Sequence, residues 1–141
     1  MIPSGLFLVD TSAIARVGAP AVLSELTRLG RLGLLATCAT VDLEVLYSAR
    51  SKAEYRSIAT RRSEGLTDLP LLPEIGGRAR LVQSAMAERG QHRAAGVIDL
   101  ITAATAEHYG ATILHYDSDF DHIASMTRQS VRWVVARGSV D

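Results

Sequence analysis

Apolar runs that stop at an acidic residue mark this chain near both ends. Leu6-Phe7-Leu8-Val9 runs into Asp10-Thr11-Ser12, and Ala111-Thr112-Ile113-Leu114-His115-Tyr116 runs into Asp117-Ser118-Asp119. Short apolar runs bounded by polar residues read as strands buried on both faces. Leu34-Leu35-Ala36-Thr37 and Val131-Arg132-Trp133-Val134-Val135 read the same way. Helical spacing fills the intervals. Thr11 or Ser12 can cap a short helix over Ala13–Val17, which Gly18-Ala19-Pro20 breaks. Pro20 suits the first turn of the next helix, which carries Val22, Leu23, Leu26 and Leu29 toward the core and ends near Gly30. Thr40 opens a helix holding Leu43, Glu44, Val45, Leu46 and Tyr47, and Ser51 caps another that runs to about Gly65. Leu69–Pro73 fits a loop or short edge strand, because Pro cannot donate to a central ladder. A long helix follows from Pro73 to about Gly90, with Gly76-Gly77 as a weak point. After the Gln91–Gly96 loop, Ile98 to about Tyr109 is helical and Gly110 closes it. A final helix spans Ser118 to Met126.

Strands alternating with helices predict an α/β fold, a three-layer α/β/α sandwich with a central parallel sheet. The chain has 141 residues, which suits one domain over 1–141. In such sheets ligands bind outside the carboxyl ends of the strands, where this sequence puts carboxylates. Asp10 ends the first strand and Asp117 the strand of the final third. Glu44 lies early on the helix after the second strand, and Asp99 at the start of the helix after the Gln91–Gly96 loop. Like carboxylates repel, so a cluster persists best around a cation, and hard oxygen ligands suit Mg²⁺ or Mn²⁺. Taken singly, each has a bland alternative. Asp99 can be an N-cap, Glu44 a solvated helix position, and Asp117, Asp119 and Asp121 a capped helix start.

Composition narrows the picture. Formal net charge is zero, so a strongly basic nucleic-acid footprint is absent, although acidic residues in a site can offset Arg elsewhere. Lys52 is the only Lys, and Arg suits bidentate phosphate contacts. Arg50, Lys52, Arg56, Arg61 and Arg62 lie on or beside one helix; they form either a phosphate-steering face or a solvated face laced with Glu54 and Glu64. Cys38 is the only cysteine, which excludes an internal disulfide and fits a reducing compartment. Its small apolar surroundings suggest a buried residue rather than a nucleophile. No apolar run has the length of a membrane span, and the N-terminus lacks signal-peptide features, so the expected location is the cytoplasm. His92, His108, His115 and His122 have no zinc-ligand pattern and read as structural or surface residues. Trp133 reads as core or interface.

Four segments resemble the motifs of the PIN domain. Val9-Asp10-Thr11-Ser12-Ala13 looks like its opening, and Thr40-Val41-Asp42-Leu43-Glu44-Val45 like its second motif. Gly96-Val97-Ile98-Asp99-Leu100-Ile101-Thr102-Ala103-Ala104-Thr105-Ala106 resembles the third closely, and His115-Tyr116-Asp117-Ser118-Asp119-Phe120-Asp121-His122-Ile123-Ala124 the fourth. Order, spacing and length resemble VapC-type toxins of type II toxin–antitoxin systems over nearly the whole chain. The resemblance implies a Mg²⁺-dependent endoribonuclease (Mn²⁺ as a substitute) whose metal-activated water attacks an RNA phosphodiester. It implies inhibition by a VapB-type antitoxin and assembly as a homodimer. By position, Asp10 and Asp99 would be the main metal ligands, and Glu44 and Asp117 would complete the acidic site. Asp119 also fits the last acidic position; Asp117 is favoured because it ends the strand. Thr11 or Ser12 can bond Asp10 or a metal-bound water, or simply cap the helix.

Competing classes fit less well. A haloacid-dehalogenase phosphatase needs a second Asp two residues after the first, where this chain has Ser12. That enzyme and a receiver domain both need a buried Lys, whereas Lys52 lies in a polar helix. A non-catalytic RNA- or protein-binding module on the same fold would be marked by loss of an acidic residue, and none is lost.

Overall fold

A computed structural model describes residues 1–141. The elements in chain order are β1 (Phe7–Val9), α1 (Thr11–Ile14), α2 (Pro20–Arg31), β2 (Leu35–Thr37), α3 (Ala39–Tyr47), α4 (Lys52–Gly65), β3 (Thr67–Asp68), α5 (Pro73–Glu88), α6 (Val97–Tyr109), β4 (Thr112–His115), α7 (Asp119–Met126) and β5 (Val131–Trp133). The strands form one parallel sheet in the order β3-β2-β1-β4-β5. β1 is central, with Phe7 opposite both Leu35 and Thr112. The strand order reverses beside β1, so the carboxyl edge of β1 and β4 is the switch point where such sheets leave a crevice.

Side-chain alternation divides the strands between two cores. Leu8, Ala36 and Ile113 join Val41, Ile75, Val82, Met86, Leu100, Phe120 and Ile123 on the face covered by α3, α5, α6 and α7. Val9 and Leu114 join Ala13, Val22, Leu29, Tyr116 and Val134 on the face covered by α1 and α2. This is the expected three-layer sandwich, with a thicker layer on the first face. Cys38 is buried in that larger core.

Local chemistry sets most boundaries as the pattern predicts. Pro20 and Pro73 sit in the first turns of α2 and α5. Ser51 accepts the Glu54 N–H at 3.0 Å and caps α4. Gly110, at φ 66°, returns its N–H to α6 and ends it. The Gly76-Gly77 pair does not interrupt α5, because Ile75, Ala79, Val82 and Met86 anchor one side of the helix in the core. Residues 69–72 are loop, one of the two expected forms, and the edge strand forms just before it at Thr67–Asp68, with the Leu69 N–H still donating to Thr37 O at 2.8 Å.

Three expectations change. The first helix spans Thr11–Ile14, and its cap is Asp10, whose carboxylate accepts the Ser12 N–H at 2.9 Å; neither Thr11 nor Ser12 caps it. Leu23 projects from α2 at 51% exposure, whereas Leu29 reaches the core. Arg62 leaves the solvated Arg face of α4: its side chain turns inward, donating to Asp42 Oδ1 at 2.9 Å and to Thr37 Oγ1 at 2.8 Å.

Candidate metal centre

The first acidic residue is placed by the strand it ends. Asp10 donates its N–H to Leu114 O at 2.9 Å, extending the β1–β4 ladder by one residue before the chain turns into α1. Its side chain is buried. One oxygen takes the Ser12 N–H; the other, Oδ1, is buried with no hydrogen-bond partner. A carboxylate oxygen left this way is costly unless a cation or proton reaches it.

The neighbouring hydroxyls tie the motifs together. Thr11 Oγ1 donates to Glu44 Oε1 at 3.0 Å across 33 residues of sequence, so Glu44 is a held member of the site edge and not a freely solvated residue. Ser12 Oγ accepts the Tyr116 N–H at 2.9 Å, locking the turn after β1 to the exit of β4. Asp99 stands one turn into α6, where it does not cap: the cap position is Gly96, and no side chain bonds there. A Cβ at Gly96 would stand 3.2 Å from Asp99 Oδ2, so glycine leaves room for that carboxylate.

Beyond β4, Asp117 donates its N–H to His115 Nδ1 at 3.1 Å and accepts the Asp119 N–H on Oδ1 at 2.9 Å. His115 is fully buried, and burial pushes its pKa down. Accepting on Nδ1 requires the neutral ring, so His115 orients the acidic turn without adding charge. Asp121 lies outside the centre and accepts from Trp133 Nε1. Asp42, the other acid of the second segment, is taken by Arg62. His92, His108 and His122 are on the surface.

Asp99, Asp117 and Asp119 bring one carboxylate oxygen each to within 4.8 Å of one another. Both residues that fit the last acidic position therefore meet Asp99. Asp10 lies outside this tight trio but close enough to act on it. Burial, then the charges of Asp10, Asp117, Asp119 and Glu44, push the Asp99 carboxyl up to about 7. Burial and Asp117 push Asp119 up, with His122 opposing. All five acidic residues singled out in the sequence thus share one electrostatic environment. Hard oxygens, an orphaned buried oxygen and mutual repulsion together fit a hard divalent cation, with Asp99, Asp117, Asp119 and Asp10 as candidate ligands. His115 is a positioning residue that the sequence pattern reads only as structural or surface; for Ser12 the pattern offers a bond to Asp10 or a cap, but not the Oγ contact to Tyr116 N–H across 104 residues.

The PIN domain profile matches residues 7–126. The chain is 44% identical over 133 residues to Ribonuclease VapC21 of Mycobacterium tuberculosis, covering 94% of this chain and 96% of the relative. It is 37% identical over 138 residues to Ribonuclease VapC51 of the same organism, covering 96% and 97%. Among solved structures it is similar to VapBC2 from Rickettsia felis bound to a promoter DNA fragment, with a TM-score of 0.74 at 15% identity over 90% of this chain and 97% of that one. It is also similar to VapBC-1 from nontypeable Haemophilus influenzae, with a TM-score of 0.73 at 14% identity over 92% and 98%.

Proposed function

The chain belongs to the PIN-domain family, among its VapC-type ribonucleases, and from that premise we propose that it is a Mg²⁺-dependent endoribonuclease toxin acting as a single PIN-like domain over residues 1–141. The observation that carries the reading is the convergence of Asp99, Asp117 and Asp119 within 4.8 Å, beside the orphaned Oδ1 of Asp10. A divalent ion bound there supplies Lewis acidity toward a phosphodiester and lowers the pKa of water. The chain's own residues do the positioning. Asp10, fixed by Ser12 N–H, and Asp99, given room by Gly96, present hard oxygens in a buried crevice. Asp117 is aimed by His115 and in turn fixes Asp119. Glu44, restrained by Thr11, adds negative charge at the rim, suited to holding or accepting a proton from an attacking water. No nucleophilic side chain is required.

The expected partners follow from the same premise: an RNA substrate, a VapB-type antitoxin and a second copy of the chain. Thr11, Ile14, Val17, Val45, Ile58 and Leu66 line a cavity of about 570 Å³ beside the centre, a suitable seat for an antitoxin segment. Leu43, Tyr47, Val97 and Ile98 expose an apolar patch that suits homodimer contact. No helix is long and apolar enough to cross a membrane; action in the cytoplasm follows from the family premise and belongs to the same proposal. A purely binding role is disfavoured by the retention of every acidic residue.

The test is cleavage of total cellular RNA by purified, antitoxin-free protein with Mg²⁺, with EDTA, and with Asp99→Ala. Discrete fragments only from the wild type in Mg²⁺ are expected. Cleavage that survives both EDTA and the substitution would overturn the metal-centred reading, and a folded, Mg²⁺-binding protein that cuts nothing would favour the binding module.

A further inference from the structure

A second feature borders the acidic centre and has the opposite charge. Ser12, Arg16, Tyr116, Asp117, Trp133 and Arg137 line a cavity of about 470 Å³ between α1, the exit of β4 and the C-terminal turn. Arg28, Arg50, Arg62, Arg78 and Arg132 each have a carboxylate partner. Arg16 and Arg137 are among the nine that have none, and they are the two that line this cavity. Arg16 donates Nη1 to Ser12 O at 2.8 Å and lies 4.4 Å over the Tyr116 ring, while its Nε is buried with no acceptor. Arg137 lies 5.5 Å over the Trp133 ring. It rides on a turn closed by Ser139 N–H to Ala136 O at 3.0 Å, with Gly138 at φ 77°. The turn is tied down from behind, because Tyr116 OH donates to Val140 O at 2.8 Å.

We propose that Arg16 and Arg137 form a subsite for a backbone phosphate of the RNA strand, one flanking the phosphodiester held at the acidic centre. The inference rests on the ribonuclease reading above. Stacking on an aromatic ring holds each guanidinium in place while leaving in-plane N–H groups for an acceptor, the geometry that suits phosphate. Asp117 lines both this cavity and the carboxylate trio, so the two are contiguous. A strand placed by its scissile phosphate at the trio carries its next phosphate into the cavity. An acidic peptide gains no such registration, and the two guanidiniums against the single Asp117 leave the lining net positive for an anionic backbone.

The experiment measures cleavage kinetics on a mixed-sequence RNA and, in an Asp99→Asn background with Mg²⁺, the salt dependence of binding to a labelled single-stranded RNA. Arg137→Gln is the main variant, since this exposed side chain can be lost without disturbing the fold. Arg16→Lys keeps the charge and removes the fork. Each is expected to raise KM about tenfold with kcat little changed. Arg137→Gln is expected to make the log–log salt slope shallower by about 0.7, with an unchanged thermal midpoint. A role confined to packing against Tyr116 or Trp133 would move the midpoint and leave the slope alone. Wild-type cleavage with KM and slope unchanged in both variants overturns the subsite and leaves the ribonuclease standing. No cleavage by the wild type on any RNA removes the ribonuclease reading and this inference with it.

Discussion

Glu25, on α2, faces two guanidiniums. Its hydrogen bonds to Arg28, at 2.7 Å, and to Arg132 outweigh the cost of burial and hold its carboxyl down to about 2. Asp99, on α6, faces other carboxylates, and burial together with their charges pushes its carboxyl up to about 7. The chemical group is essentially the same, displaced in opposite directions by its surroundings. At Glu25 the fold completes the charge balance with its own residues, so the interaction belongs to the architecture. At Asp99 the fold assembles negative charge and leaves the balance open. Such a site costs stability in isolation and gains it when a cation arrives, which is the behaviour of a place built to bind.

The largest expected effect breaks the acidic side of the comparison. Asp99→Asn should lower cleavage on the order of a thousandfold or more, since several kcal/mol of charge stabilisation by the ion depends on that ligand set. The same change should raise the thermal midpoint of metal-free protein at mildly alkaline pH, because it removes a repelling charge. Single-turnover assays and melting curves check the two halves together.

Next comes restoration of the balance. Unfolded Asp99 ionises near 3.8 and folded Asp99 near 7, so the folded state holds the extra proton in between. Its contribution to metal-free stability is therefore full below 3.8 and is lost as pH rises through that window. Mg²⁺ should offset the loss. At a hundredfold its Kd, it adds about 2.7 kcal/mol, on the order of 10 °C for a chain of this size. Calorimetry across pH, with and without Mg²⁺, reads both.

Thr11→Val removes only the tether on Glu44. A loss of about tenfold in kcat is expected, the scale of one charge-assisted hydrogen bond, with folding retained. Pre-steady-state cleavage measures it. The smallest effect belongs to the compensated side. Glu25 supports stability above its unfolded value of 4.5, and that support is lost as pH falls toward 2. Arg132→Gln should weaken it by at most about 1 kcal/mol because the pair is solvent-facing, a deficit that denaturation curves show near neutrality and that fades as pH falls through 4.5 toward 2 and Glu25 protonates.

What was legible in sequence follows the range of the interactions. The strands other than β3, with Ser51, Gly110, Pro20 and Pro73, act within a few residues, so pattern and local stereochemistry locate them. The acidic motifs were legible because each sits at an element end in a distinctive local string. Their connections were not. Thr11 meets Glu44, Ser12 meets the backbone of Tyr116, and Arg62 meets Asp42 only after the sheet has formed. The sequence marks Asp10 as a site residue, but its second task, capping α1 in place of Thr11 or Ser12, depends on the tight turn after β1. Leu23 shows the limit of periodicity: helical spacing counts it with Leu29, yet α2 is rotated so that only part of the stripe reaches the sheet. The cavity holding Arg16 and Arg137 joins residues from opposite ends of the chain, and no single segment carries its signal.

The most direct test is a carbon-detected NMR titration of the Asp and Glu carboxyls in metal-free protein, repeated with Mg²⁺. Asp99 should titrate near 7 without metal and drop well below that when Mg²⁺ is added, while Glu25 stays near 2 in both series. An Asp99 that titrates near 3.8 without metal and ignores Mg²⁺ would contradict the claim that this edge of the sheet is an unbalanced acidic centre built for a cation.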